Sequence, residues 1–424
     1  TGRIRFDANQ VLPLCKSATD ENCLVGLRTA TSTSPLAAAE LVREVNISTY
    51  EFEDLPKGLY KSGKPAIFKA SNAAASGGST DYVVVANVRI GYEPNSGKYV
   101  TRELEASVMP FQTKSGGRQV GLRETTNCGS VDSDGICITG WPGDKTCAWE
   151  EQGTCGEVVA FSPDTRFEIE VRVSKSIAGW FRGRIQRPDI AISSFSKTSN
   201  TVIVSAEPTS VARLEAKITK ENTTEAQRTL ANAGGTTGGQ PVAGCTEVRL
   251  LCGNIAKGFS AMRPGSIQWV DAFRNAAKDT AIAVSTLWNF TTIDANSLGN
   301  NKCLSDTSKL QGIVTTNATA LDGTPPVFKS GTLTYNVAGL HYAPDGSTLN
   351  LGAYDLVMRS ETARCLYGWG KAPLSASVSV VNEKGAKTTA TTVVSEKNGW
   401  LKLAAYGFTF SKKTIKVKIT KKKK

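Results

Sequence analysis

The cysteines of this sequence occur in close pairs, and this spacing restricts the folds that the chain can adopt. There are ten cysteines, and eight of them form four pairs whose members are seven to nine positions apart. A disulfide over such a distance suits a hairpin or a short loop, and the remaining two cysteines are then left for each other. The close pairs are Cys15/Cys23, Cys128/Cys137, Cys147/Cys155 and Cys245/Cys252, and the remaining pair is Cys303/Cys365.

The spacing leaves a second connectivity open. The four cysteines between positions 128 and 155 could instead nest, with Cys128 bonded to Cys155 around a Cys137–Cys147 bond. Metal binding is the main competing interpretation, but the sequence has no C-x-x-C motif and a single histidine, His341. One histidine excludes a zinc site of two cysteines and two histidines, and a site of four cysteines would need unusual spacings. We therefore expect disulfides, an oxidising compartment, export from the cell and no cofactor.

Length and composition are those of a globular protein with more than one core. The 424 residues predict two to three domains, and 40% hydrophobic with 21% charged residues is typical of a folded chain. No run of about 18 consecutive apolar residues occurs, so no transmembrane helix is predicted. The sequence starts with Thr1, which we expect to be a mature N-terminus left after removal of a signal peptide.

Runs of alternating and β-branched residues predict a mainly β protein. Apolar and charged residues alternate over positions 166–173 (RFEIEVRV), as in a strand with one buried and one solvated face. Further short runs, separated by turn sequences, predict antiparallel, immunoglobulin-like β-sandwich domains with disulfide-stapled loops. A few short helices are also predicted. One covers residues 34–45, where Ser34 and Pro35 provide an N-cap and a first helical residue, and one lies within residues 245–279, where Ile267, Val270 and Phe273 have helical spacing.

One domain boundary is predicted from glycine content. Residues 233–240 (AGGTTGGQ) are typical of a flexible segment. We therefore predict an N-terminal β-rich domain over residues 1–230, a linker or loop over 231–244, and a C-terminal domain over 245–424 that ends in a β-sandwich module. Residues 128–155 contain four cysteines and many small polar residues, so we expect them to form a cysteine-rich excursion from the first domain.

The net charge of +12 is concentrated in part at the C-terminus, where residues 412–424 include eight lysines. Within this segment Ile415, Val417 and Ile419 alternate with lysines, which predicts a final strand whose lysines discourage aggregation at a sheet edge. A basic surface also favours anionic partners such as a cell-wall polymer. The basic run has no interleaved aromatic residues, so nucleic-acid binding is not predicted.

No motif in the sequence indicates catalysis. A Ser-His-Asp or Cys-His site would need His341, a lone histidine at a predicted strand end. Hydrolysis of a glycoside needs only two carboxylates, and the pair to test is Glu150–Glu151 beside Trp149. Residues 132–135 (DSDG) begin like a calcium-binding loop but lack the acidic residue expected at its end, which makes Ca²⁺ a weak expectation.

Several motifs in the C-terminal part of the chain carry a family resemblance. Residues 313–419 resemble the C-terminal part of a group of uncharacterised secreted proteins of Gram-positive actinobacteria. The resemblance implies export and a cell-surface location, and it assigns no functional residues. It rests on residues 314–319 (VTTNAT), 354–359 (YDLVMR), 363–369 (ARCLYGW), 398–403 (NGWLKL) and 406–410 (YGFTF), with residues 178–185 (AGWFRGRI) similar in character.

These features favour a non-enzymatic surface protein that assembles with itself, as an S-layer-like or filament-like subunit. A short N-terminal segment that alternates basic and apolar residues is the predicted assembly strand, which would add to the sheet edge of a neighbour. The alternative is an adhesin or binding module for carbohydrate or an anionic wall polymer, and a carboxylate-based glycoside hydrolase ranks third. The assembly strand comprises Arg3, Ile4, Arg5 and Phe6, and the candidate sugar-stacking residues are Trp141, Trp149 and Trp180.

Overall fold

A computed structural model shows a mainly β fold made of stacked, largely antiparallel sheets. The prediction of a mainly β protein with antiparallel sheets is therefore confirmed, while an immunoglobulin-like arrangement remains a prediction. The structure describes residues 7–46, 62–93, 97–115, 147–151, 154–219, 224–225, 250–254, 266–293, 297–370, 374–382, 384–410 and 413–421.

The largest sheet, the central sheet, draws strands from most of the chain. These are β1 Asp7–Val11, β4 Glu40–Glu44, β5 Ala66–Lys69, β6 Asp81–Glu93, β7 Lys98–Ser115, β8 Cys147–Glu151, β9 Thr154–Val158, β11 Gly179–Arg184, β18 Asn289–Thr292, β19 Leu310–Thr316, β23 Leu351–Arg359, β26 Thr391–Lys397 and β27 Trp400–Thr409. Their order is β26–β27–β23–β19–β11–β18–β7–β6–β5–β4, with β1 beside β6 and with β9 and then β8 beside the far part of β7. The described pairs are antiparallel except β11–β19, which is parallel.

Two smaller sheets cover the central sheet. The first outer sheet has the order β12–β13–β10–β2–β3 and consists of β2 Cys23–Ala30, β3 Ala37–Ala38, β10 Arg166–Ser174, β12 Gln186–Ser194 and β13 Ser199–Glu207. The second outer sheet has the order β20–β22–β28–β24–β25 with β21 beside β22, and consists of β20 Ala320–Leu321, β21 Val327–Lys329, β22 Thr332–Ala338, β24 Leu374–Asn382, β25 Lys387–Thr388 and β28 Lys413–Lys421.

The remaining described elements are two ribbons and three short helical segments. One ribbon pairs β14 Thr209–Arg213 with β17 Ala283–Leu287, and the other pairs β15 Glu215–Thr219 with β16 Leu250–Asn254. The helices are α1 Ser266–Phe273 and α2 Ser360–Tyr367, with a 3-10 turn at Ser76–Gly78. Helix α1 lies within residues 245–279, where one helix is predicted, and this prediction is therefore confirmed.

Neighbouring residues of the central sheet show how the layers stack. Ile313 lies in the core shared with the first outer sheet, whereas the next residue, Val314, lies in the core shared with the second. Successive side chains of a strand point to opposite faces. The central sheet is therefore covered on one face by the first outer sheet and on the other, in its C-terminal half, by the second.

Strand pairing does not follow the predicted domain boundary. β18, from the predicted C-terminal domain, pairs with β7 and β11 of the predicted N-terminal domain, and β19 pairs with β11. Strands from both sides of the boundary thus belong to one sheet. The predicted linker, residues 231–244, lies outside the described residues.

The predicted helix over residues 34–45 is wrong. The segment instead forms the short strands β3 and β4, which pair with β2 and β5. Leu41 and Val42, which were expected on a buried helical stripe, are exposed, and only Val45 is buried. Pairing with the edges of β2 and β5 outweighed a local helix signal that consisted of a cap and a short apolar stripe.

The final strand is confirmed, but its predicted position at a sheet edge is wrong. β28 lies between β22 and β24 in the second outer sheet. Ile415, Val417 and Ile419 are buried, while Lys416 and Lys418 are exposed. The alternation of apolar residues and lysines therefore reflects one buried and one solvated face, and the last strand in sequence is not the last strand in space.

Three disulfides are present among the described residues, and they match the first of the two connectivities. They join Cys15 to Cys23, Cys147 to Cys155, and Cys303 to Cys365. The Cys147–Cys155 bond excludes the nested alternative.

The other two close pairs fall wholly or partly outside the part of the chain that the structure describes. Cys128 and Cys137 both lie outside it, as does Cys245. Cys252 lies within β16, where its backbone is paired opposite Lys217 of β15. Because the position of Cys245 is not described, the Cys245–Cys252 bond stays a prediction, and so does the Cys128–Cys137 bond.

Candidate functional site

The first outer sheet ends part of the way across the central sheet. Its edge strand β12 lies over β19 and β23, so β27 and β26 continue beyond it. Lys402 on β27 forms an ion pair with Asp189 on β12. We call this region the step. Its floor is the face of β26 and β27 that carries Val393 and Lys402, and its wall is β12.

A tight turn positions the outermost strand of the step. β26 and β27 are joined by Asn398 and Gly399, whose φ angles are 52° and 78°. Two successive positive φ values define a type I′ turn, whose twist matches that of the strands it joins. The register then runs without a bulge from Lys397 opposite Trp400 to Thr391 opposite Tyr406. β26 is therefore an edge strand with regular pairing to β27.

The two faces of β26 have different environments. On one face Val394 packs against the core of the second outer sheet, and Glu396 pairs with Arg364 of α2 at 2.5 Å. On the other face, the floor of the step, Val393 is 43% exposed. Among the described residues, no strand pairs with the outer edge of β26.

The opposite end of the central sheet is closed. β4 contains a bulge at Val42, where its register with β5 shifts. Arg43 of β4 donates to Glu151 of β8 at 2.7 Å, and the backbone N–H of Asn46 donates to the same carboxylate. Strands β4, β5, β6, β7, β9 and β8 therefore curl around a small core that contains Trp149. The first and last strands of this curved sheet, β4 and β8, are joined by the contacts of the Glu151 side chain and not by strand pairing.

At the inner end of the step lies a charge cluster that joins the first outer sheet to the central sheet. Tyr406 donates from its hydroxyl to Asp355, and the backbone N–H of Arg187 donates to the other carboxylate oxygen at 3.1 Å. Arg187 has φ = 49°, in the left-handed region, and its guanidinium lies 5.3 Å from the centre of the Tyr406 ring. The bulge in β12 aims this side chain at the central sheet.

The outer part of the charge cluster alternates cations and carboxylates. Arg187 donates to Glu207 at 2.6 Å, and Arg166 donates to Asp189 at 2.7 Å and to the hydroxyl of Ser205 at 2.9 Å. With Lys402 on Asp189, three cations face three carboxylates. The cluster comprises Arg166, Arg187, Asp189, Glu207, Asp355, Lys402 and Tyr406.

Burial shifts the pKa values of two members of this cluster, Asp355 and Lys402. It raises the pKa of Asp355 to about 6, against the opposing effect of the hydrogen bonds from Tyr406 and Arg187. It lowers the pKa of Lys402, and the nearby Arg166 lowers it further. Shifts of this kind often mark functional sites, but structural ion-pair networks show them too. Asp355 is only 5% exposed, so the geometry is that of a clamp between two sheets.

Two candidate sugar-stacking residues are buried, and the prediction that they stack on a glycan is wrong. Trp149 packs edge-to-face on Phe111 at 5.4 Å, with the Arg43 guanidinium 5.0 Å from its ring centre. Trp180 is buried between the central and second outer sheets, and its indole N–H donates to the carbonyl of Leu304 at 2.8 Å. Neither ring has a free face. Trp141 lies outside the described residues.

The candidate carboxylate pair does not converge on one site. Glu150 and Glu151 are consecutive residues of β8, so their side chains point to opposite faces. Glu150 is exposed, while Glu151 binds Arg43 and Asn46. We therefore reject this pair as the two carboxylates of a glycoside hydrolase.

His341 is held in place by backbone and neighbouring side-chain contacts. Its Nδ1–H donates to the carbonyl of Phe410 at 2.8 Å, and its backbone N–H donates to Asp279 at 2.9 Å. The ring also packs edge-to-face on Tyr342. These are the contacts of a structural histidine at a strand end.

Two features of the site were not predicted from the sequence. The Asn398–Gly399 turn has a clear signal, because Asn-Gly between two β-rich runs is the strongest short hairpin motif. The charge cluster has no such signal, since Arg187 and Asp355 are 168 residues apart. The predicted assembly strand, Arg3 to Phe6, and the calcium-like residues 132–135 lie outside the described residues.

Fold and site together define a disulfide-bonded, layered β protein with an open sheet edge. Among the described residues, no helix is both long and apolar enough to cross a membrane. No family model, curated protein or solved structure matches the chain.

Proposed function

We propose that this protein is a non-enzymatic, exported structural subunit that self-assembles at the cell surface into a filament-like or S-layer-like structure. The observation that supports this most strongly is the outer edge of β26, a regular strand of seven residues at the end of a thick, disulfide-bonded scaffold. The N–H and C=O groups of such an edge bind another strand through main-chain hydrogen bonds.

Five other edge strands among the described residues carry features by which proteins avoid pairing with each other. The edge strands β3, β20 and β25 have only two residues each. β4 has a bulge and exposed Glu40 and Glu44, and β12 has a bulge and Pro188. Short strands, bulges, charges and proline all weaken strand addition. β26 has neither bulge nor proline, and its first three residues, Thr391, Thr392 and Val393, are exposed and uncharged.

The predicted assembly strand is the natural segment to test as a donor. It precedes β1, whose first residue, Asp7, pairs with Gly91 of β6. β6 continues for only two residues after Gly91, ending at Glu93, so it offers little further edge to the residues before Asp7. A segment that alternates Arg with Ile and Phe has the pattern of a half-buried strand.

The test is the size and shape of the full chain in solution and under the electron microscope. We expect concentration-dependent association by light scattering after size exclusion, and ordered polymers in negative stain. Removal of residues 1–6 should shorten or abolish the polymers while leaving the fold intact, because β1 starts at Asp7. A monomer at every concentration would refute the proposal, and unchanged polymers from the truncated chain would refute the role of the N-terminal segment.

The adhesin alternative now depends on Trp141 and on surface charge. Screening the protein against a glycan array and against anionic wall polymer tests it directly. Binding by a protein that stays monomeric would favour the adhesin.

A further inference from the structure

The outer edge of β26 is self-complementary, which identifies a partner for it. The turn-closing pair Lys397 and Trp400 exchange backbone hydrogen bonds, as they do in a two-residue hairpin. Because inward and outward groups alternate along a strand, the N–H and C=O of Thr392, Val394 and Glu396 point away from β27. These three residues form the hydrogen-bonding surface of the edge.

One antiparallel register uses this whole edge. If two copies pair with Val394 opposite Val394 of the second copy, then Thr392 faces Glu396 and Thr391 faces Lys397. The pattern is symmetric, no like charges are opposed, and three outward residues on each side give about six backbone hydrogen bonds. A register centred on Glu396 would place two glutamates opposite each other, which is unfavourable.

The arrangement of the central sheet favours pairing between two β26 edges over head-to-tail pairing of β26 with the β4 end of another copy. Head-to-tail addition of sheets would need a second open edge at the β4 end, but that end carries a bulge and is tied to β8 by Arg43 and Glu151. A contact between two identical edges needs only the edge that is open. Such an isologous contact closes on itself and produces a two-fold dimer.

We propose that β26 of one copy pairs antiparallel with β26 of a second copy, with the two-fold axis at Val394, so that the two central sheets form one continuous sheet. This inference rests on the proposed function and specifies its first contact. Because β26 is occupied in this dimer, growth beyond it requires a second contact, in which the N-terminal segment would add to a sheet edge other than β26.

Removal of one outward backbone N–H of β26 tests whether this edge forms the dimer contact. Thr392→Pro deletes an outward donor and leaves the ladder with β27 complete, and proline is tolerated on the free side of an edge strand. Thr392→Ala is the matched control, because it removes the side chain and keeps the donor. We expect Thr392→Pro to raise the dimer dissociation constant at least about tenfold, the loss of roughly 1.4 kcal/mol, and Thr392→Ala to change it less than about threefold.

Cysteine cross-linking tests the register. In the proposed dimer residue 391 of one copy faces residue 397 of the other, at a Cα distance of about 4.5 Å that suits a disulfide. The two copies of residue 391 are about 20 Å apart, since six residues of strand separate them. An equimolar mixture of Thr391→Cys and Lys397→Cys should therefore cross-link under mild oxidation, whereas each variant alone should not. Peptide mapping checks that the native disulfides are retained.

The outcomes separate this inference from the proposed function. Cross-linking only in the mixture, with dimers weakened by Thr392→Pro, supports the two-fold β26 contact. Self-association that Thr392→Pro leaves unchanged, or cross-linking of a single variant, overturns this contact while the structural function stands. A wild-type protein that stays monomeric overturns both.

Discussion

Tyr406 donates a hydrogen bond from its hydroxyl to the carboxylate of Asp355, across the neighbouring strands β27 and β23. Asp355 is buried beneath β12, and its other oxygen accepts the backbone N–H of Arg187. The contact therefore joins two strands of the central sheet to the edge of the first outer sheet. Because burial raises the pKa of Asp355 to about 6, the contact makes stability depend on pH.

Asp355→Asn should remove a pH-dependent destabilisation. The ordinary pKa of Asp is 3.8, so between about pH 4 and pH 6 the folded protein binds more protons at Asp355 than the unfolded chain does. The free energy of unfolding must then fall as pH rises through this window, by about 3 kcal/mol for a shift of roughly two units. Asparagine does not titrate, so urea unfolding at several pH values should show wild type losing stability relative to the variant.

Tyr406→Phe is the companion variant for this measurement. It removes a hydrogen bond that lowers the pKa of Asp355, so the loss of stability should extend to higher pH than in wild type. Parallel stability curves for wild type and Asp355→Asn between pH 4 and 7 would contradict the shifted pKa.

Glu151→Ala should open the closure between β4 and β8. The variant loses the ion pair with Arg43 and leaves the backbone N–H of Asn46 without its acceptor, which should cost about 1–2 kcal/mol of unfolding free energy. The adjacent Glu150→Ala is the control, since Glu150 is exposed and should change stability by less than about 0.5 kcal/mol. Chemical denaturation of both variants makes the comparison, and equal losses would argue against the closure.

The contribution of Glu151 should also depend on pH. Burial tends to raise its pKa, but the donors Arg43 and Asn46 outweigh this and lower the pKa below the ordinary 4.5. Its stabilisation is therefore complete above about pH 4.5 and disappears as pH falls through the lowered pKa. The stability difference between wild type and Glu151→Ala should shrink on acidification, and a constant difference would contradict the ion pair.

Gly312→Ala should be strongly destabilising because β19 is packed tightly between its neighbours. A Cβ at Gly312 would lie 2.8 Å from Cζ3 of Trp180 and would also collide with the carbonyl oxygen of Val357. The Val357 backbone cannot move aside without breaking the pairing of β19 with β23. We therefore expect the free energy of unfolding to fall by about 2–3 kcal/mol. Gly26→Ala in β2 is the matched control, since nothing lies within 4 Å of its Cβ position. A thermal melt that ranks the two variants equally would contradict this packing.

The Cys303–Cys365 bond should contribute most of the three described disulfides. It closes a loop with a sequence separation of 62, against 8 for Cys15–Cys23. Each bond stabilises the fold by lowering the entropy of the unfolded chain. This effect predicts a stabilisation of about 4 kcal/mol for the long loop and about 2.5 kcal/mol for the short one. Paired Cys→Ser variants of each bond, compared by urea unfolding, test this order. A smaller loss from the Cys303/Cys365 variant would show that enthalpic terms dominate.

The sequence pattern correctly predicted those features of the fold that depend on residues close together in the chain. The alternation over residues 166–173 is strand β10, with Phe167, Ile169 and Val173 buried as expected. The short cysteine spacings predicted hairpin-scale disulfides, two of which are present in the described residues. The Asn398–Gly399 hairpin was equally predictable, because both central residues of its turn need positive φ and this pair supplies them.

The wrong predictions share one physical cause. Contacts with residues far away in the sequence outweigh the preference of the local segment. Residues 34–45 have a helix-like start, yet sheet edges supplied by β2 and β5 bind them as strands. Trp149 belongs to the polar, cysteine-rich segment 128–155 and was predicted to stack on a sugar, yet Phe111 and Arg43 fill the space beside its ring. No pattern in a single sequence ranks such contacts.

Three properties of this protein follow from its local sequence pattern: a mainly β fold, disulfide bonds, and a final strand with one buried and one solvated face. Each of these properties depends on residues within a few positions of each other, so spacing and alternation express them. Contacts between distant parts of the chain place strands of both predicted domains in one sheet, β28 between β22 and β24, and β26 at an outer edge of the central sheet as the described residues form it. Those properties depend on which strands meet, and that choice is made by packing between residues tens to hundreds of positions apart.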